Sequence, residues 1–153
     1  MANATVQQSL AEIWSKEATA WRVGYYLLMP DHLHFFCAPH DLHFDIDAWV
    51  EFWKRQFSRR HLDQPWSWQR KSFHHRLRNR IEYEEKLAYV RENPLRKKLA
   101  EKPEEWPYQG RIHDLRWWGC VPPAPPKTSS LFQNNGDDVD VVPIILQRRL
   151  HTG

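Results

Sequence analysis

Apolar residues change their spacing several times along this 153-residue chain, and each change marks a different element. Val6, Leu10, Ile13 and Trp14, with Glu17 beyond them, recur at three and four, which predicts an amphipathic helix over 6–20. The pattern then becomes a nearly continuous apolar run: Trp21, Val23, Tyr25-Tyr26-Leu27-Leu28-Met29, a Pro30-Asp31 break, then His32-Leu33-His34-Phe35-Phe36-Cys37-Ala38. That run predicts two strands, 21–29 and 32–38, joined tightly as a hairpin at Pro30-Asp31. Ile46, Trp49, Val50, Trp53 and Phe57 restore the helical rhythm, with Asp45 or Asp47 as the N-cap. Past Pro65, the stretch 66–78 mixes Trp66, Trp68, Phe73 and Leu77 with Arg, Lys and His and reads as a basic aromatic loop and strand. A third helix is predicted from about Asn79 to Asn93, where Pro94 stops it. A short helix over 95–101, a Trp106-Pro107-Tyr108 turn and a Trp117-Trp118-Gly119 cluster follow.

The last part of the chain has a different texture. Pro122-Pro123-Ala124-Pro125-Pro126 reads as a stiff linker and 128–140 as disordered. The segment 139–146 has strand character, with a proline that favours a sheet edge. The chain thus divides into a domain over 1–119 and a tail over 120–153. The order helix, strand, strand, helix, strand, helix predicts an α+β fold, with helices packed on an antiparallel sheet. It is one strand short of a ferredoxin-like βαββαβ array.

Composition narrows the classes. The length suits one domain with a real core. No apolar stretch is long enough for a membrane span, and the first thirty residues lack the order of a signal peptide, so a cytoplasmic location is expected. Cys37 and Cys120 match no metal-finger spacing and read as reduced thiols. The net charge of +3 conceals a local asymmetry. Between Glu51 and Leu99 there are fourteen Lys or Arg against six Asp or Glu, interleaved with aromatics. A basic, aromatic stretch across three elements points to a polyanion such as nucleic acid.

Two constellations carry chemistry. His32 and His34 project from the same side of a strand about 7 Å apart, and two neutral imidazoles so placed can share one metal ion. Read without a partner, such a doublet is more often a pair of ordinary surface or hydrogen-bonded histidines. Tyr89 and Asn93, four apart, share a helix face, so a phenol nucleophile and an amide-oxygen ligand stand together. Each has a plainer reading: Tyr89 as a core aromatic beside Leu87 and Val90, and Asn93 as the N-cap of the helix that Pro94 begins. Glu85, one turn before Tyr89, is an alternative carboxylate ligand, and Tyr83 lies on a different face.

The stretch YYLLMPDHLHFFCAP resembles the strand-turn-strand that carries the His-hydrophobic-His signature of HUH single-tyrosine transposases. WQRKSFHHRLRN followed by LAYVRENPLRKKLAEKPEEWPYQG is similar to the downstream half of the REP-associated tyrosine transposases, where a tyrosine, Asn-Pro, a short helix and a Trp-Pro-Tyr turn come in the same order. The resemblance covers about residues 20–110. It implies His32, His34 and Asn93 as metal ligands, Tyr89 as the nucleophile, Mg²⁺ or Mn²⁺ as the cofactor, and single-stranded or hairpin DNA as the substrate. Lys54, Arg55, Arg59, Arg76 and Arg78 then become expected phosphate contacts, and Trp66, Trp68 or His74 stacking residues. The implied fold has a ferredoxin-like core that normally begins with a strand, and residues 1–5 are too few and too polar to form one. Either the chain starts after that strand, or 139–146 or a second subunit fills its place. The unpaired sheet edge fits a monomer or a homodimer. The expected activity is that of a DNA endonuclease and strand transferase with a 5′-phosphotyrosine intermediate. A non-catalytic hairpin-DNA-binding protein is the main alternative, and a phosphoesterase that uses activated water a third.

Overall fold

In a computed structural model, residues 1–41, 43–115 and 141–150 are described. Their architecture is α+β, a six-stranded antiparallel sheet with helices on both faces. β1 (Trp21–Leu28) and β2 (His32–Pro39) form the predicted hairpin, with Leu28 opposite Leu33 and Leu27 opposite His34. The register slips between Val23 and Tyr26. Gly24 lies in that slip, and a Cβ there would stand 2.6 Å from the Leu115 side chain, so only glycine lets Leu115 seat against the strand.

Alternation assigns each side chain of β2 to a face. Leu33, Phe35 and Cys37 join Val23 and Leu28 in a core beneath α1 (Ala4–Glu12), the π-helical turn Ile13–Glu17 and α2 (Ile46–Arg60). Asn3 caps α1 by accepting from the Val6 amide, and Asp45 caps α2 by accepting from the amides of Asp47 and Ala48. The apolar stripe of α2 lays Trp49, Trp53 and Phe57 into this core, where Trp53 meets Trp14 edge-on at 5.6 Å and Trp68 at 5.5 Å. Such tilted aromatic contacts add to the burial of the rings.

Phe36 and Ala38 lie on the opposite face, with Leu27, Met29, Leu77, Val90 and Trp106. His32 and His34 share that side by alternation. There α3 (Arg80–Arg91) packs through Val90, capped by Asn79, whose side chain accepts from the Glu82 amide. The chain continues almost directly into α4 (Asn93–Arg96). This helix is shorter and earlier than the predicted 95–101. Lys98 takes a left-handed conformation, φ 56°, which ends the helical path. The Trp106 indole then donates to the Leu28 carbonyl at 2.8 Å, and β5 (Gln109–Arg111) runs beside β1.

The other flank of β2 is taken by the far end of the chain. β6 (Val142–Leu150) pairs antiparallel with β2, with His32 opposite Gln147 and His34 opposite Ile145. β3 (Trp66–Trp68) and the two-residue β4 (Phe73–His74) pair with the other side of β6. The expected edge strand is therefore an interior one, displaced toward the C-terminus. Pro143 is tolerated because it lies near the start of β6, beyond the two residues paired with β4. The 122–126 linker, the 128–140 segment, Trp117-Trp118-Gly119 and Cys120 lie outside the described residues. Among the described residues, no helix is long and apolar enough to cross a membrane.

Candidate metal and nucleophile site

β2, α3 and α4 bring together the four residues that the sequence singles out as a reactive group. His34 is buried, and its Nε2 stands 3.1 Å from the Asn93 side-chain Nδ2, a contact between residues 59 apart in sequence. With Nε2 as acceptor, the ring proton of His34 sits on Nδ1. The His32 ring meets the His34 ring edge-on, with centroids 4.7 Å apart. Asp31 Oδ1 lies 2.6 Å from His32 Nδ1, a contact that holds the ring in place.

Burial pushes the His34 pKa down to about 3, helped by the positive charges of His32, Lys86 and Arg96 and opposed by Asp31. The imidazole is thus a free base across the physiological range, the protonation state that a ligand needs. The donor set suits a divalent cation: two imidazoles, which bind metal in their neutral form, and, once the Asn93 amide turns its Oδ1 from Arg96 toward His34, one hard oxygen. Three neutral ligands leave the charge of such an ion uncompensated, which suits a polyanionic substrate. Among the described residues, no group of three His, Cys, Asp or Glu could hold a metal ion, so the amide of Asn93 is essential to this reading and Glu85 does not replace it.

Tyr89 stands about 6 Å before Asn93 along the helical path. It is 55 % exposed, so the phenol is presented to solvent rather than packed as a core aromatic. Tyr83 takes the core role instead, 5.2 Å from Phe36. Arg96 ties the two reactive positions together. Its guanidinium lies 3.9 Å from the centre of the Tyr89 ring, donates to the Tyr89 carbonyl, and donates to Asn93 Oδ1 at 3.2 Å and Glu92 at 3.3 Å. Lys86 approaches the same ring at 5.5 Å. Beside Tyr89 a groove of about 340 Å³ is lined by His75, Leu77, Glu82, Glu85 and Lys86. Asp31, Lys86 and Arg96 were missed in the sequence. Arg96 had a signal, since it falls three residues after Asn93 and seven after Tyr89, both helical returns to one face.

The expected DNA contacts divide. Lys54 is buried and its ammonium donates to the Gln69 carbonyl at 2.8 Å, so it clasps the 69–70 turn onto α2 instead of meeting phosphate. Trp66 and Trp68 are buried too, Trp68 against Trp53 and Phe57, and cannot offer a ring to a base. The reason is the same for all three: pairing of β3 with β6 folds this basic stretch over α2. His74 turns toward α2 and meets Asp47 at 3.1 Å. Arg55 and Arg59 are exposed, but they sit on α2, across the sheet from Tyr89. Arg76 and Arg78 are exposed on the connection from β4 to α3, the side that carries the candidate nucleophile.

No family model, curated protein or solved structure matches this chain.

Proposed function

We propose that this protein is a metal-dependent, single-stranded DNA endonuclease and strand transferase that forms a 5′-phosphotyrosyl intermediate at Tyr89. The observation that carries the reading is the meeting of His34 and Asn93 at 3.1 Å, beside His32 and one helical turn from an exposed tyrosine. A core histidine needs only one polar partner; it does not need a second, oriented histidine and a solvent-facing phenol at the same place. His32, His34 and Asn93 would hold the cation, with Mg²⁺ or Mn²⁺ as the candidates. Imidazole nitrogens favour Mn²⁺ of the two. Bound there, a divalent cation supplies polarisation of a phosphodiester oxygen and stabilises the charge that develops on it.

The chain's own residues account for the rest. Tyr89 Oη forms the bond to phosphorus, the bond from phosphorus to the 3′-oxygen breaks, the phenol gives up its proton and the departing oxygen takes one up. The product is a strand joined by its 5′-phosphate to Tyr89 and a strand with a free 3′-hydroxyl. Reversal with a different 3′-hydroxyl joins new partners, because the phosphotyrosine keeps the phosphoester bond. Lys86 and Arg96 stand over the Tyr89 ring, where their charge meets the incoming phosphate.

The decisive test is covalent trapping of single-stranded hairpin DNA with Mn²⁺ on a denaturing gel. The expected result is an adduct with the wild type and none with Tyr89→Phe or without metal. Salt-sensitive hairpin binding with no adduct would assign the protein to non-catalytic DNA binders. Cleavage without an adduct, unaffected by Tyr89→Phe, would make it a phosphoesterase that activates water.

A further inference from the structure

Phe73 is 82 % exposed, the most exposed Phe, Tyr or Trp among the described residues. Exposure of a lone phenylalanine is common enough, but its place in the sheet is not arbitrary. Phe73 pairs with Ile145, and Ile145 pairs on its other side with His34. Directly opposed residues share a face, so Phe73, Ile145 and His34 form one row across three strands. Two strand spacings put Phe73 about 10 Å from His34. The next residue gives an independent check. His74 points to the other face, where it meets Asp47 of α2 at 3.1 Å, so β4 cannot roll to bury Phe73.

We infer that Phe73 is a stacking platform for an unpaired base of single-stranded DNA close to the phosphate that Tyr89 attacks. This rests on the nuclease reading above and adds to it a base-binding subsite. Three features select a base as the occupant. The groove beside Tyr89 is lined by His75 and Leu77, two and four residues after Phe73, so one short segment links the platform to the wall of the groove that holds the phenol. Charge complementarity points the same way: Lys71, Arg76 and Arg78 surround Phe73 in sequence and are exposed, which suits a phosphate backbone. Finally, Lys71 and His75, two residues to either side of Phe73, are polar and exposed, so it is a single ring and not part of the broad apolar patch that a protein partner needs. Stacking on one flat ring is the sequence-tolerant contact that single-strand binders use.

The experiment compares binding of fluorescein-labelled oligodeoxythymidylate with that of an abasic oligomer of equal length and charge, by anisotropy and without metal. The wild type is expected to prefer the oligomer that has bases. Phe73→Ala should weaken oligothymidylate binding on the order of 5- to 100-fold, leave abasic binding unchanged, and keep its thermal transition. Phe73→Trp should retain the preference. Equal losses for both oligomers, no loss for either, or a change in sedimentation on Phe73→Ala that reveals an interface between copies would each overturn the inference. If the wild type forms the Tyr89 adduct while Phe73→Ala keeps its base preference, the stacking site alone fails. If the wild type binds neither oligomer and forms no adduct, the nuclease reading fails with it.

Discussion

Arg96 concentrates more of the candidate chemistry than any residue that the sequence marks out. One planar guanidinium covers the ring of Tyr89, the proposed nucleophile, and donates to its carbonyl, so the position of that phenol depends on this side chain. Lysine cannot reproduce a stacked, forked contact. Arg96→Ala and Arg96→Lys should therefore both slow adduct formation about tenfold or more, with the fold intact by circular dichroism. His34 makes a prediction about pH. The folded protein keeps this imidazole neutral down to about pH 3, whereas the unfolded chain takes up its proton near the ordinary value of 6.5. The unfolded state thus binds more protons between those values. The contribution of His34 is complete above about 6.5 and is lost as pH falls, on the order of 1 kcal/mol per pH unit. Denaturant melts from pH 7 to 4 should show that slope in the wild type, and His34→Asn should flatten it.

At the scale of elements, α2 is where the sequence reading of the basic stretch needed most revision. Its charged positions looked like one nucleic-acid surface, yet Lys54 belongs to the packing between α2 and the 69–70 turn. Burial draws its pKa below the ordinary lysine value, opposed by the carboxylates of Glu51 and Asp47. Lys54→Met should lower stability by about 1–3 kcal/mol, because the carbonyls lose a charged donor, and leave the salt dependence of DNA binding unchanged. A reduced salt slope would return Lys54 to the DNA surface. The elements that hold the site behave differently. The β1–β2 hairpin and α3 fall close to their predicted bounds because their signals are local: an apolar alternation broken at Pro30-Asp31, and an Asn79 cap followed by helical spacing. The short helix after Asn93 was placed too late because the left-handed turn at Lys98 has no glycine to announce it.

For the molecule as a whole, the main result is the origin of the strand beside β2. The α+β class was legible from element order, whereas the neighbour of β2 on the flank away from β1 was not. The occupant of that flank was only one of several options in the sequence. β6 fills it, pairing with β2 along the stretch that includes both histidines and carrying β3 and β4 beyond. Removal of residues 141–153 would strip those hydrogen bonds and expose an apolar edge next to the site. The truncated chain should lose its cooperative thermal transition and, on the proposed nuclease reading, its Mn²⁺ binding, read by calorimetry. A peptide spanning 141–150 added in trans should restore part of both, and a truncated chain that melts like the full one would show that β6 is dispensable.

By itself the sequence determined what contiguous backbone geometry determines. The two-residue period of a strand puts His32 and His34 on one side, and the helical return puts Tyr89 near Asn93, whatever the rest of the chain does. It also determined that Trp49, Trp53 and Phe57 form a buried stripe, since a helix with that spacing has one face to hide. Tertiary structure alone decided that the histidine face and the tyrosine helix meet, because 59 residues separate His34 from Asn93 and only the burial of Phe36, Leu77 and Val90 between them selects that packing. It decided likewise that Trp68 is core and Phe73 is surface. Both are aromatics in the same basic stretch, and they differ only in which side of a strand pairing each one faces.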